Sequence, residues 1–207
     1  MSALSLNSPF YCAHCIQCRL PVSHCVCANI KQCKPPFSIS ICSHSNEWHK
    51  IDNTGHWAFL SSSSINRIKW HRKAELIDWG DLTKPTKNIK NGGNKNTEYL
   101  LFPSADAQDI EQLNTPIDRL WVIDGTWQEA QKMLRQSPWM QDLPHVKIAL
   151  AADAKSAFVL RRNQQGLSTL EAIAAAVTQY FGSDADCANT LNDNFKLFQN
   201  TLLSLKK

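Results

Sequence analysis

The residues of this sequence best suited to chemistry lie together between Asp124 and Glu129. The apolar, β-branched run at residues 120–123 is typical of a buried strand, and Asp124 ends it. Thr126 and Glu129 have the spacing of a capping box, so a helix is predicted to begin here. The carboxyl end of a strand and the amino end of a helix favour the binding of ligands, above all of anions such as carboxylates. The alternative is an ordinary strand–turn–helix in which Asp124 only caps the turn.

A second set of reactive side chains lies near the N-terminus. Six of the eight cysteines fall within the first 33 residues: Cys12, Cys15, Cys18, Cys25, Cys27 and Cys33. In a chain without a signal peptide, such clustering favours metal binding over disulfides. Two close pairs, Cys15 with Cys18 and Cys25 with Cys27, are separated by six residues and suit one tetrahedral, structural Zn²⁺. The alternatives are other ligands nearby, or free cysteines: the neighbouring candidates are Cys12, His14, His24 and Cys33.

A second polar cluster follows the strand predicted at residues 37–43. It begins with His44 and Glu47, continues through Lys50 and residues 53–55, and leads into a helical segment before the serines at 61–64. His44 and Glu47 have side chains suited to acid–base chemistry, although capping is the simpler interpretation.

One segment of the chain is basic. Residues 67–95 hold eight Lys or Arg residues against three acids, an excess of five where the whole chain has a net charge of +4. Residues 67–73 are predicted to form a strand with one basic face, and residues 83–97 a basic loop. With Trp70 and Trp79 available for stacking, this patch suits a nucleic-acid backbone and its bases. The alternative is a merely solvated charged face.

The remaining pattern alternates strands with helices. Three further apolar runs have the composition of strands: residues 99–102, 146–150 and 157–160. A second capping box, from Ser168 to Glu171, begins a helix that Gly182 ends, and an amphipathic helix covers residues 187–202. This alternation predicts an α/β fold, a mostly parallel sheet with helices on both faces. The sequence contains neither a G-x-G-x-x-G motif nor a P-loop.

The composition is that of a protein with a sizeable core, with 207 residues, 43% of them hydrophobic and 19% charged. No apolar run approaches the roughly 20 residues that span a bilayer, and no signal pattern begins the chain. We therefore expect a cytoplasmic protein without a membrane partner. The cysteine cluster predicts an N-terminal zinc-binding element at residues 1–34, followed by a larger domain at residues 35–207.

Several of these motifs together resemble the DTW-domain family. Residues 124–127, Asp-Gly-Thr-Trp after an apolar strand, are similar to the D-x-T-W signature of that family. Four other segments resemble family motifs: Cys15, Cys18, Cys25 and Cys27; Glu47 and Lys50 with residues 53–55; residues 101–104; and Leu160 and Arg161 with residues 168–172. Two places depart from the family pattern, since Ser45 stands where Pro is expected, and His56 and Trp57 where Arg and an aliphatic residue are expected.

The resemblance implies a fold and a reaction. The fold is a SPOUT-like sheet, knotted at its C-terminal end around S-adenosylmethionine. The reaction is transfer of the 3-amino-3-carboxypropyl group from S-adenosylmethionine to N3 of a uridine in tRNA, which releases methylthioadenosine. No obligate protein partner is expected. The alternatives are a SPOUT-like RNA methyltransferase using the same cofactor, and a non-catalytic zinc-bearing RNA-binding protein.

The resemblance and the basic patch also assign residues to roles. Asp124 is the candidate catalytic base, or else a residue that stabilises the sulfonium or holds ligands, and Glu47 is the next candidate base. The residues expected to bind S-adenosylmethionine are Phe102, Pro103, Ser104, Thr126, Trp127, Ser168 and Thr169. Those expected to contact RNA are Lys50, Arg67, Lys69, Arg72, Lys73 and Arg161.

Overall fold

A single parallel sheet forms the centre of the molecule. The computed structural model describes residues 13–85, 97–151, 154–160, 166–182 and 186–206. In chain order the strands are β1 Ser38–Ser43, β2 Ile65–Lys69, β3 Glu98–Leu101, β4 Gln108–Asp109, β5 Arg119–Asp124 and β6 His145–Lys147. They lie side by side in the order β2-β1-β5-β3-β6-β4, and every neighbouring pair is parallel. The prediction of a mostly parallel sheet is confirmed.

Helices cover both faces of this sheet, as predicted. They are α1 Thr54–Leu60, α2 Trp127–Arg135, α3 Pro138–Gln141, α4 Thr169–Phe181 and α5 Asp186–Ser204. On one face, Leu120 and Val122 of β5 belong to a buried apolar cluster that also contains Trp57 of α1, Ile173 of α4 and Phe198 of α5. The two β5 side chains point to this face because strand residues two apart share one side of a sheet.

The opposite face of the sheet has its own core. Trp121, which alternates with Leu120 and Val122 along β5, packs in a second cluster with Met133 of α2 and Met140 of α3. Trp121 and Met133 are fully buried, and burying each such side chain contributes about 1.5–3 kcal/mol. Because β5 is apolar on both faces and lies inside the sheet, its carboxyl end is held rigidly in place.

One predicted strand is absent, and one strand was not predicted. Residues 157–160 form no strand; Phe158 instead buries its ring against Trp57, with centroids 5.6 Å apart. An apolar run can bury its side chains against helices instead of pairing in a sheet, so its composition alone does not identify a strand. The strand that was not predicted is β4, which has only two residues and is too short for its sequence pattern to be detected. The basic strand also begins and ends earlier than predicted, since β2 spans Ile65–Lys69.

The N-terminal segment shares the core of the larger domain. Leu20 and Val26 are buried in the same apolar cluster as Trp57 of α1. The boundary at residue 34 remains a prediction. So does the C-terminal knot, because residues 152–153, 161–165 and 183–185 lie outside the described structure. None of the helices described is both long and apolar enough to cross a membrane.

Candidate active site and zinc site

Asp124 is the centre of a buried polar network at the carboxyl edge of the sheet. The residue is 2% exposed and lies in register with Ser43, the last residue of the neighbouring β1. Ser43 Oγ donates to Asp124 Oδ2 at 2.7 Å, and Thr169 Oγ1 at the start of α4 donates to Oδ1 at 2.8 Å. Asn53 Nδ2 reaches both carboxylate oxygens, at 3.2 and 3.0 Å. Side chains from three other elements therefore converge on this one carboxylate.

Arg67 belongs to the same network, which corrects the prediction that it lies on an exposed basic face. Its side chain is 2% exposed, and Nη2 lies 3.5 Å from Asp124 Oδ2. Its Nε donates to Ser43 Oγ at 2.8 Å and Nη2 to Asn53 Oδ1 at 3.0 Å. In β2, Arg67 points to the same side as Ile65, and that side is covered by α1. Burial lowers the pKa of Arg67 to about 10, although Asp124 opposes this shift, so the group remains a cation at neutral pH.

The network is packed so closely that one glycine is required beside it. A Cβ atom built on Gly55 in the first turn of α1 would lie 2.8–2.9 Å from the Asp124 carboxyl group. Only a residue without a side chain lets α1 approach this carboxylate. Asn53 begins α1, since its side chain accepts from the backbone N–H of His56 at 2.6 Å. The start of α1 is therefore fixed by the same side chain that holds Asp124.

The amino end of α2 carries a second polar group, built as the sequence predicted. Thr126 and Glu129 form the capping box: Thr126 N donates to Glu129 Oε2 at 2.9 Å, and Glu129 N donates to Thr126 Oγ1 at 3.3 Å. The other oxygen, Glu129 Oε1, lies 3.1 Å from His44 Nδ1 and accepts from Asn46 Nδ2 at 2.8 Å. Burial raises the pKa of Glu129, but the hydrogen bonds from Thr126 and Asn46 outweigh it, so the net pKa is lowered. Glu129 is therefore a carboxylate at neutral pH.

His44 lies between the two groups. Its backbone N–H donates to the Asp124 carbonyl at 2.8 Å, and its ring stacks on Trp70 with centroids 5.7 Å apart. The sequence marked His44 as an acid–base candidate but gave no sign of its pairing with Glu129, which is 85 residues away. The available signal was that both residues follow carboxyl ends of predicted strands, which meet at one edge of a parallel sheet.

The residues predicted to bind S-adenosylmethionine fall into two groups. Trp127 is 52% exposed and lies parallel to Phe102, with ring centroids 5.3 Å apart. Ser104 Oγ lies 2.8 Å from His145 Nδ1, and this histidine, which the sequence analysis did not identify, also contacts the Phe102 ring. Phe102 itself is buried, so the open aromatic surface at the start of α2 is the exposed part of the Trp127 ring; Pro103, next to Phe102 in the chain, is also exposed.

The other three predicted cofactor residues have structural partners. Thr126 is occupied in the α2 capping box and Thr169 in the Asp124 network. Ser168 caps α4 together with Glu171, as the second capping box predicted. Their contact with a cofactor remains a prediction.

The basic residues expected to contact RNA differ in their exposure and in their partners. Lys69, Arg72 and Lys73 are exposed, whereas Lys50 is paired with Glu47 at 2.6 Å. The Glu47 hydrogen bond raises the pKa of Lys50. Arg161 lies outside the described residues, as does most of the predicted basic loop, residues 86–96.

The two tryptophans of the basic segment do not lie free on a basic face. Trp70 is buried and donates through Nε1 to Ser137 Oγ at 2.9 Å, so its proposed stacking on a base is corrected. Trp79 is partly buried against Trp139, with ring centroids 5.4 Å apart. A cleft of about 440 Å³ opens beside β2, lined in part by Trp48, Lys69 and Trp79.

The four predicted zinc ligands come together. The sulfur atoms of Cys15, Cys18, Cys25 and Cys27 all lie within 4.8 Å of one another. The Cys15–Cys27 and Cys18–Cys25 sulfur pairs are 3.6 and 3.8 Å apart. A Zn–S bond of about 2.3 Å gives a tetrahedral sulfur–sulfur distance of about 3.8 Å, so the set fits Zn²⁺. Backbone hydrogen bonds from Cys18 and Gln17 lower the pKa of Cys15 to about 6, whereas burial raises the pKa of Cys18 and Cys27, so the fit to Zn²⁺ rests on the distances between the sulfur atoms.

The alternative ligands are separated from this group. His14 and His24 lie outside the four-cysteine cluster among the residues described. Cys33 is disulfide-bonded to Cys187 of α5, a pairing that the expectation of reduced, metal-binding cysteines did not include. Cys12 lies outside the described residues.

The cysteine loop is connected to the Asp124 network. The carbonyl of Gln17 lies 2.7 Å from His56 Nε2, and His56 Nδ1 lies 3.5 Å from Arg67 Nη1. Burial lowers the pKa of His56 to about 4, although the Gln17 contact opposes it, so the ring is neutral. Arg19 and Arg67 both donate to the carbonyl of Trp48. His56, a departure from the family pattern, thus links the four-cysteine loop to the Asp124 network.

The chain matches the model of a known protein family. A family described as DTW domain matches residues 12–203, nearly the whole chain. No solved structure matches the chain. The match spans the cysteine cluster, Asp124 and both capping boxes.

Proposed function

The chain belongs to the DTW-domain family, and on this premise we propose that it transfers the 3-amino-3-carboxypropyl group of S-adenosylmethionine to N3 of a uridine in tRNA. That family includes tRNA-uridine aminocarboxypropyltransferases. The observation that carries the proposal is the carboxyl edge of the sheet, where Trp127 stands open beside Phe102 while Asp124 is buried in a polar network. The family signature thus combines a buried, hydrogen-bonded carboxylate with an exposed aromatic ring.

The open surface is where we place the donor. Trp127, stacked on the buried Phe102, has an exposed face against which an adenine can bind, since π-faces recognise bases with little sequence-specific contact. Ser104 and His145 supply polar atoms at its rim. S-adenosylmethionine supplies a sulfonium with three carbons open to attack, so the protein must present the aminocarboxypropyl carbon and shield the methyl group. This selection is a matter of positioning, which a preorganised site does well.

The role of Asp124 follows from its partners. Both of its oxygens already accept hydrogen bonds, and Arg67 balances its charge in the interior. A base must have a lone pair free for the incoming proton, and Asp124 would have to break a buried network to offer one. We therefore assign Asp124 the holding role that the sequence analysis left open: it fixes β1, β2, α1 and α4 around the site.

Glu47, the second candidate base, is also occupied. Its Oε1 pairs with Lys50 at 2.6 Å, and its Oε2 accepts from Asn53 Nδ2 at 3.3 Å. It supports the loop between β1 and α1 in this proposal.

The tRNA is placed on the exposed basic residues. Lys69, Arg72 and Lys73 provide phosphate contacts, and the cleft beside β2 adds Trp48 and Trp79 as neighbouring aromatic walls. Lys50 and Arg161 are retained as further contacts, whereas the buried Arg67 is not. The four cysteines would hold a structural Zn²⁺, which suits a site without an open position.

Nucleoside analysis tests the proposal. Purified protein is incubated with S-adenosylmethionine and an unmodified tRNA transcript, and the RNA is digested and examined by mass spectrometry. A uridine carrying the aminocarboxypropyl group is expected. A methylated nucleoside would identify the chain as a methyltransferase, and tight tRNA binding without any product would identify it as a binding protein.

A further inference from the structure

We propose that His44 Nε2 accepts the N3 proton of the target uridine, and that Glu129 is the positioning residue that keeps the hydrogen of the neutral ring on Nδ1. The inference rests on the proposed transfer to uridine N3. It assigns the base that neither Asp124 nor Glu47 is free to provide.

The position of His44 suits this role. The residue follows directly on β1, and its backbone N–H is tied to the Asp124 carbonyl at 2.8 Å. The ring is stacked on Trp70, with centroids 5.7 Å apart and planes 21° from parallel. Strand, hydrogen bond and stacking together fix the ring at the edge where the family signature begins, so little ordering is required before reaction.

Glu129 fixes the tautomer. His44 Nδ1 lies 3.1 Å from Glu129 Oε1, and because a carboxylate can only accept, this contact is attractive when Nδ1 carries the hydrogen. The backbone N–H of Asn46 donates to Nδ1 at 3.3 Å, which suits the opposite tautomer, and we take the closer, charged carboxylate to decide between the two. With the hydrogen on Nδ1, Nε2 presents its lone pair, which is the arrangement a general base needs.

The other histidines near this edge lack such a nitrogen. His56 contacts Gln17 through Nε2 and Arg67 through Nδ1. His145 contacts Ser104 through Nδ1 and the Met140 carbonyl through Nε2, at 3.3 Å. For His44 Nε2, no hydrogen bond is formed with any residue in the described part of the chain.

The step conserves atoms and charge. The N3–H bond of uracil breaks and its proton passes to His44 Nε2, giving an imidazolium stabilised by the Glu129 carboxylate. The freed N3 electron pair forms the bond to the aminocarboxypropyl carbon. The carbon–sulfur bond breaks, and its electron pair leaves with sulfur in methylthioadenosine. The imidazolium then returns its proton to water.

Single-turnover rates test the assignment in two variants. His44→Gln removes the base, and at neutral pH we expect the rate to fall by about 10²–10⁴-fold. Glu129→Gln keeps the capping box, because Gln serves at this position as well as Glu. Its amide N–H, however, can donate to His44 Nδ1, which moves the histidine hydrogen to Nε2 and blocks the base; we expect a loss of similar size.

The pH profile separates a base from a structural residue. At alkaline pH, uracil N3–H ionises without help, so the deficit of both variants should shrink steadily as the pH rises. S-adenosylmethionine affinity, measured by calorimetry, should stay within about threefold of the wild type. His49→Gln, the same substitution at an exposed histidine, is the matched control and should behave as the wild type.

Each result decides the proposal. Wild-type rates in His44→Gln, or a deficit that is the same at every pH, would overturn the role of His44 while leaving the transfer reaction intact. If the wild-type protein yields no aminocarboxypropyl product, the proposed function itself fails, and the base assignment falls with it.

Discussion

The two ends of the Asp-Gly-Thr-Trp signature lie in opposite environments. Asp124 is 2% exposed, and its oxygens are held by residues from four elements, whereas Trp127 is 52% exposed and touches Phe102 across an open surface. A buried charge is stable only when its partners are complete, but a half-exposed ring has one face left for a ligand. One short motif therefore contributes both a buried carboxylate that holds neighbouring elements together and an exposed ring that is free to bind a ligand.

The largest expected effect on stability and turnover comes from a substitution at Asp124, the buried end of the signature. Asp124→Asn removes the charge that balances Arg67 and turns an amide N–H toward groups that are themselves donors. We expect a loss of about 3 kcal/mol in the free energy of unfolding, together with at least a 10²-fold fall in turnover. Urea unfolding and activity assays measure the two effects, and Asp106→Asn at an exposed carboxylate is the control.

From the sequence alone, the same substitution is expected to spare the turn and the capping box. Full stability with lost turnover would therefore contradict the holding role and return Asp124 to the role of base.

Zinc removal tests whether the four-cysteine loop stabilises the Asp124 network. Through Gln17, His56 and Arg67 the cysteine loop supports the Asp124 network, and Leu20 and Val26 bury themselves in the main core. We expect one zinc per chain by metal analysis, and a loss of about 2 kcal/mol on chelation, or roughly 4–8 °C in Tm. Added Zn²⁺ should restore both.

The open surface should respond less to the same treatment. S-adenosylmethionine affinity should change less than about threefold when zinc is removed, since Trp127 and Phe102 contact each other rather than the cysteine loop. Purified protein without zinc, or with unchanged Tm after chelation, would show that the four cysteines do not brace the site.

Trp127→Ala tests the open end. It removes an exposed aromatic face together with the stacking on Phe102, so stability should fall by only about 0.5–1.5 kcal/mol. The dissociation constant for S-adenosylmethionine should rise about tenfold, which is about 1.4 kcal/mol. Calorimetry measures this change, with Phe181→Ala, another exposed ring, as the control. Native affinity in Trp127→Ala would place the donor elsewhere.

The smallest expected effect lies outside both regions. Reversing the charges of Lys69, Arg72 and Lys73 should leave stability and S-adenosylmethionine affinity unchanged. The slope of log affinity for tRNA against log salt should become shallower by about 2–3 as fewer counterions are released. A filter-binding series at several salt concentrations measures it. Reversal of three other exposed charges, Lys34, Lys196 and Lys206, is the matched control.

An unchanged salt slope in the triple variant of the patch would identify it as a solvated face. The RNA would then have to contact another surface.

Local features of the structure could be predicted from the sequence. Both capping boxes form at the predicted residues, because two side chains three positions apart suffice to define each one. The buried strand before Asp124 and the four-cysteine cluster were likewise encoded in short spacings. These features need no knowledge of what lies opposite in the fold.

Non-local contacts could not be predicted. A basic strand shows its charge but not which of its faces a helix will cover, so Arg67 was assigned to the surface. Trp70 was assigned to RNA for the same reason, although Ser137 binds it in the interior. The pairing of His44 with Glu129 depends on the order of strands in the sheet, which local pattern does not determine.

One measurement tests the central claim, that this edge directs the aminocarboxypropyl group rather than the methyl group to tRNA. S-adenosylmethionine carrying one isotope in its methyl group and another in its carboxyl group is incubated with the wild-type protein and unmodified tRNA. We expect the carboxyl label to enter the RNA while the methyl label leaves in methylthioadenosine, one for one. Methyl label in the RNA, with adenosylhomocysteine as the spent donor, would contradict it.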